Sequence, residues 1–190
     1  SLDRRQRQMC IRDRLKAFDI QFLGLKLGSH QYEYKIEQTF FELFEFEEYN
    51  SVDVKITIQL EKKATLLDLH FLAEGFVNVN CDVTNEPYRQ AIQSEFSLVV
   101  KFGPEYNDEN ESILVIPHGA YELNVAQYIY ELIILAVPQK RIHPGVEDGS
   151  LDSEILKTLE KFSPKGPKEN NSDRDTDPRW DSLKILLTDK

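Results

Sequence analysis

Between Leu67 and Phe102 apolar side chains recur at nearly every second position. Leu67, Leu69, Phe71, Ala73, Gly75, Val77, Val79, Cys81 and Val83 alternate with mostly polar residues, among them Asp68, His70, Glu74, Asn78, Asn80 and Asp82. Beyond the polar cluster Thr84-Asn85-Glu86-Pro87 the alternation resumes. Tyr88, Ile92, Phe96, Leu98, Val100 and Phe102 fall between Arg89, Gln93, Glu95, Ser97 and Lys101. A period of two puts one side-chain set on each sheet face, so the stretch predicts a hairpin of two long strands with one buried and one wetter face. A third strand precedes it, with Val52, Val54, Ile56, Ile58 and Leu60 alternating with Asp53, Lys55, Thr57, Gln59 and Glu61. Strands this long predict a strongly twisted sheet, curled towards a barrel.

The remaining pattern fills in around these three strands. Phe18, Ile20 and Phe22 read as a short strand, and Tyr32, Tyr34 and Ile36 as another. Phe40, Phe41 and Phe44 fall at near-helical spacing among glutamates, predicting a short amphipathic helix over 38–47. Gly103-Pro104 stops the hairpin, Glu105 to Glu111 reads as an acidic loop, and Ile113 to Ile116 as a short strand closed by Pro117. The spacing predicts a helix from Tyr121 to Val137, with Asn124 as N-cap and a covered stripe of Val125, Tyr128, Ile129, Leu132, Leu135 and Ala136. Pro138 ends it. Ile155, Leu156, Leu159 and Phe162 predict a further short helix, capped by Asp152 or Ser153. Residues 163–176 contain no aliphatic side chain and read as a flexible linker. Asp177-Pro178 then opens a C-terminal helix carrying Trp180, Leu183 and Leu187.

The fold class expected is α+β: an antiparallel meander of long, strongly twisted strands, one buried helix and a tethered C-terminal helix. The main domain is expected over 15–138, with loop, short helix, linker and C-terminal helix over 139–190. Residues 1–14 stand apart. They hold five arginines against two aspartates, and Arg-Gln-Met-Cys-Ile-Arg-Asp-Arg reads as a translated sequencing adapter. They are expected to lie outside the native protein.

That expectation sharpens the charge. The chain of 190 residues carries −10, and removing five arginines and two aspartates leaves −13. So acidic a protein is a poor general binder of polyanions, because phosphate affinity comes largely from Lys and Arg; the balance suits basic protein partners. No apolar run approaches the length of a membrane span. With Cys81 the one cysteine outside the first fourteen residues, no internal disulfide is expected there, and the cytoplasm is the expected compartment.

Three stretches carry a family resemblance. Cys81-Asp82-Val83-Thr84 with Pro87-Tyr88 and Glu95-Phe96-Ser97-Leu98 resembles the central motif of the YceD family, the large ribosomal RNA subunit accumulation proteins. Glu131 to Pro138 is similar to that family's helix ending in Leu-Pro or Val-Pro. Asp177-Pro178-Arg179-Trp180 with Leu183 and Leu186 resembles its C-terminal signature. In order and spacing the resemblance runs from Phe18 to Leu187. It implies a bacterial, non-enzymatic factor supporting large-subunit (23S) rRNA accumulation, processing or stability. The family is commonly encoded beside a small large-subunit ribosomal protein, which implies a ribosomal protein or a large-subunit assembly intermediate as partner, with rRNA contact indirect. The alternative is an acidic protein-interaction or chaperone-like module unrelated to ribosomes.

Candidate chemistry is sparse. Family members often carry Cys-x-x-Cys where this chain has Cys81 to Thr84, a spacing that would suggest zinc. Thr84 in the second position removes one thiolate, and Cys81 alternates inward with Val79 and Val83 as a small buried residue. No metal and no cofactor are expected. His30, His70, His118 and His143 form no ligand pattern, and no nucleophile elbow or phosphate-cradling glycine loop is present, so no catalytic residue is assigned. The basic patches are Lys62-Lys63, Lys140-Arg141 and Lys165 with Lys168. The candidate contacts to a partner or RNA are Lys140 and Arg141, which follow the buried helix, and Arg179 and Trp180. The segment around Trp180 has two readings, a helix docked on its own domain or a tethered partner-binding segment.

Overall fold

The computed structural model describes residues 13–147, 149–151 and 154–162. The expectations for residues 1–12, for capping by Asp152 or Ser153, for Lys165 and Lys168, for the linker, and for the C-terminal helix with Arg179 and Trp180 lie outside the described residues.

The alternation from Leu67 to Phe102 folds as the hairpin it predicts. β4 (Leu66–Asn80) and β5 (Pro87–Gly103) pair antiparallel from Leu66 opposite Lys101 to Asn80 opposite Pro87. β3 (Ser51–Lys62) pairs with β4 along its whole length, and β2 (Gly28–Glu37) pairs with β3. The inward residues Val54, Ile56, Ile58, Leu60, Leu67, Phe71, Val77 and Val100 are fully buried. Burial of side chains this size stabilises by roughly 1.5–3 kcal/mol each, which fixes the register, because a one-residue slip would turn the whole set to water. The opposite face carries exposed ion pairs, Glu33 with Lys55 at 2.8 Å and Lys35 with Glu37 at 2.8 Å.

With β6 (Asn107–Asn110) and β7 (Ile113–Pro117) the strand order is β2-β3-β4-β5-β7-β6, an open mixed sheet that does not close into a barrel. Its last step departs from a meander. After β5 the chain crosses the position of one strand, runs back as β6, then returns as β7 between them, parallel to β5. The acidic loop expected over 105–111 is therefore largely an edge strand. Pairing with apolar β7 draws it into the sheet, while its charged side chains keep that edge from recruiting another chain.

A two-stranded sheet joins β1 (Asp19–Gln21) to β8 (Glu122–Asn124) on the core side, and α2 (Ala126–Ala136) follows β8. The helix thus begins five residues later than its apolar spacing suggested, because pairing with β1 holds residues 122–124 extended. The N-cap is Val125 rather than the expected Asn124, which closes β8 one residue earlier with its Oδ1 accepting from the Ala126 amide at 3.1 Å. Ala126, Ile129, Leu132 and Ile133 are buried, whereas Leu135 is 82% exposed. Leu135 lies about 240° round the helix from Ile129, so the covered stripe is narrower than expected.

The phenylalanine segment forms a short helix, α1 (Gln38–Phe41), continued by a 3₁₀ turn (Glu42–Phe44) that ends where Glu45 takes a left-handed φ of 56°. Phe41 is fully buried, and Phe44 stacks on Tyr130 of α2 with centroids 4.2 Å apart. A one-turn helix, α3 (Pro144–Glu147), interrupts the loop expected over 139–150. The chain divides into two compact units at Ser153 and Glu154, and everything above belongs to the first. In the second, α4 (Glu154–Phe162) confirms the expected short helix, with Phe162 exposed. Among the described residues no helix is long and apolar enough to cross a membrane.

Candidate functional site

The turn between β4 and β5 gathers the residues that carry the family resemblance. The Cys81 amide donates to the Glu86 carbonyl at 2.9 Å and the Asn85 amide to the Cys81 carbonyl at 2.8 Å. Asn85 has φ 59°, a left-handed conformation that asparagine tolerates better than most residues. The loop after α2 docks on this turn. The Asp82 amide donates to the Arg141 carbonyl at 2.8 Å, and the Arg141 amide donates to Asp82 Oδ2 at 2.7 Å. The His143 amide donates to Cys81 Sγ at 3.3 Å, and the His143 ring meets Tyr88 edge-on.

Cys81 is buried beside Thr84, the one buried polar residue in the described core. Burial alone would push the thiol up. The Thr84 hydroxyl and the amides of His143, Thr84 and Val83 more than offset that, and hold it below its ordinary value. The hydrogen bonds that would support a thiolate remain, but Thr84 now donates where a second sulfur would stand. Among the described residues no three His, Cys, Asp or Glu side chains gather as a metal would require. Cys81 and Thr84 meet within the turn, where the Thr84 hydroxyl oxygen accepts from the Glu86 amide at 3.4 Å.

The sequence-identified cations fare differently from one another. Arg141 is largely covered, with its Nε 3.5 Å from Asp82 and its Nη1 3.6 Å from Glu48. Lys140, next to it, is exposed. Lys62 turns inward and donates to the carbonyls of Phe22 at 2.8 Å and Leu25 at 2.9 Å, while Lys63 pairs with Asp68 and Glu61. Of the two basic patches among the described residues, Lys62, Lys63 and Arg141 are engaged within the fold and Lys140 stands exposed. On the outer sheet face His70 Nδ1 lies 3.0 Å from Ser97 Oγ, and its Nε2 lies 3.9 Å from Glu95. This row stands open to solvent on paired strands, and reads as a cross-strand contact.

A second feature escaped the sequence reading. Between α2 and the β6–β7 hairpin lies an open groove of about 870 Å³. It is lined by the apolar Phe96, Leu114, Ile116 and Leu135 and by the carboxylates of Asp108, Glu111, Glu122 and Glu131. Two signals were visible, the acidic run over 105–111 and Glu131 on an otherwise apolar helix. Nothing in the linear pattern places them opposite each other.

A family model described as Large ribosomal RNA subunit accumulation protein YceD matches residues 69–187, more than half of the chain. No curated protein and no solved structure matches it.

Proposed function

The chain belongs to the YceD family of large ribosomal RNA subunit accumulation proteins, and from that premise we propose that it is a non-enzymatic, cytoplasmic assembly factor that acts through a basic ribosomal protein. The observation that carries this reading is electrostatic. The chain bears −10 overall, and Arg141, Lys62 and Lys63, which would otherwise be available to phosphates, are engaged by Asp82, Glu48, Asp68, Glu61 and backbone carbonyls. Phosphate affinity grows with the number of cations that can displace counterions, and here Lys140 is what remains of its patch. An acidic surface instead steers a basic protein towards it and disfavours free RNA. Contact with rRNA is then made by the partner inside an assembling particle.

The test compares full-chain protein binding to isolated large-subunit rRNA and to the small basic proteins of the same subunit, at about 0.15 M salt, where screening reaches about 8 Å. Binding to a basic protein, with little to bare RNA, is expected. Tight binding to bare RNA that Lys140→Ala weakens, with none to a basic protein, would sink the reading. Capture of basic proteins without preference for ribosomal ones would favour a general acidic interaction module.

A further inference from the structure

We propose that the groove between α2 and the β6–β7 hairpin is the docking site for a Lys- and Arg-rich segment of a large-subunit ribosomal protein, anchored by an apolar side chain. The inference rests on the basic-partner reading above and gives that partner a place to bind. Three observations converge on the groove. First, its apolar lining is open: Leu135 on α2 is 82% exposed and Tyr106, just before β6, is 59% exposed. Second, its charge is one-sided. Asp108, Glu111, Glu122 and Glu131 line it, and no lysine or arginine does so among the described residues. Elsewhere on the sheet carboxylates face lysines, as Glu33 faces Lys55 and Asp68 faces Lys63. Among the described residues Glu131 accepts only from Gln127 and Asp108 from Tyr106, both neutral, and Lys16, which acts on Glu122, does not line the groove. Third, the field is felt within it. Tyr128 on the groove wall has its phenol pushed up to about 12, first by burial and then by Tyr106, Asp108 and Glu131.

The two walls suit different parts of one segment. Glu131 and Leu135 stand four residues apart on α2, one turn along the same helix face, so a cation and an apolar side chain one turn apart on a bound helix can meet them together. Asp108 and Glu111 close the other side from β6 and its turn. Nucleic acid is a poor occupant, because its phosphates would face four carboxylates.

The experiment titrates the full chain, at about 0.15 M salt, with a short synthetic peptide of Lys and Leu, with an all-Lys peptide of equal charge, and with the intact basic ribosomal protein. Asp108→Lys with Glu131→Lys should weaken the Lys/Leu peptide by at least about tenfold. Glu74→Lys with Glu95→Lys, the same charge change on the outer sheet face, should weaken it by less than about twofold. Leu135→Ser, at an exposed position that leaves folding intact, should also weaken it, and the all-Lys peptide should bind less well. The ribosomal protein should follow the same order. Equal loss from both charge pairs, or equal binding of the all-Lys peptide, overturns the groove as a site. A ribosomal protein that binds but ignores the groove substitutions overturns the groove and leaves the basic-partner reading standing. A ribosomal protein that does not bind the wild-type chain overturns that reading, and this partner with it. Trp180, the one tryptophan in the chain, reports the competing occupant: a changed emission in Leu135→Ser without any partner would mean that the chain's own C-terminal segment fills the groove, and would overturn the proposal.

Discussion

At the residue scale, Gly75 shows how one missing atom shapes the sheet. It pairs with Val54 of β3, and a Cβ built on it would stand 2.3 Å from the Asp53 carbonyl oxygen and 2.7 Å from the Val54 Cα. Backbone cannot step aside as a flexible side chain can. Gly75→Ala should therefore cost about 1–3 kcal/mol, within the range for overpacking, and lower Tm by several degrees in a thermal melt. An unchanged Tm would show that β3 and β4 can part there without loss. Tyr49 and Tyr128 supply a second test. Burial, aided by neighbouring carboxylates, pushes both phenols up to about 12. Between the ordinary value of 10 and about 12 the unfolded chain loses these protons while the folded chain keeps them. Stability is then complete below about pH 10 and falls as pH rises to about 12. An ultraviolet titration should show phenolate appearing later in the native protein than in urea; coincident curves would contradict the buried environment.

At the scale of elements, the docking of the 140–143 loop on the β4–β5 turn rests on Asp82. Its carboxylate accepts the Arg141 amide and sits beside the Arg141 guanidinium. Asp82→Ala should cost about 1–2 kcal/mol, since it removes the charged acceptor of the Arg141 amide together with the ion pair. Arg141→Ala keeps that backbone bond and removes a part-exposed ion pair, so it should cost at most about 1 kcal/mol. The loop also delivers the His143 amide to Cys81. In a Cys10→Ser background, Asp82→Ala should make the Cys81 thiol react faster with a disulfide reagent, and Arg141→Ala should do so less. Equal rates in both variants and the parent would mean that the loop stays seated without Asp82.

At the scale of the whole molecule, the net charge of −10 acts together with its distribution. Association with a basic ribosomal protein should slow as salt rises from about 0.05 to about 0.5 M, while dissociation changes less, because long-range attraction acts before contact and is screened first. A salt-independent on-rate would assign the affinity to apolar contact alone. Much of this molecule was determined by sequence alone. The period-two runs from Val52 to Phe102 dictate three long paired strands with a buried face, since no other backbone state puts alternate side chains on one side. The aromatic spacing at Phe40, Phe41 and Phe44, and Asn124 before an apolar helix, mark local structure just as directly. What only the tertiary structure decided is pairing across distance. The start of the expected helix at Tyr121 became β8 because β1 lies beside it. Residues 107–110 of the acidic run became an edge strand because β7 lies beside them. Arg141, read as a candidate contact to a partner or RNA, meets Asp82 and Glu48, far from it in the chain. Local periodicity reports which face a residue takes. Which carboxylate a cation meets, and which acidic walls enclose an exposed leucine, depend on how separate elements come together, and short-range sequence spacing carries no record of that.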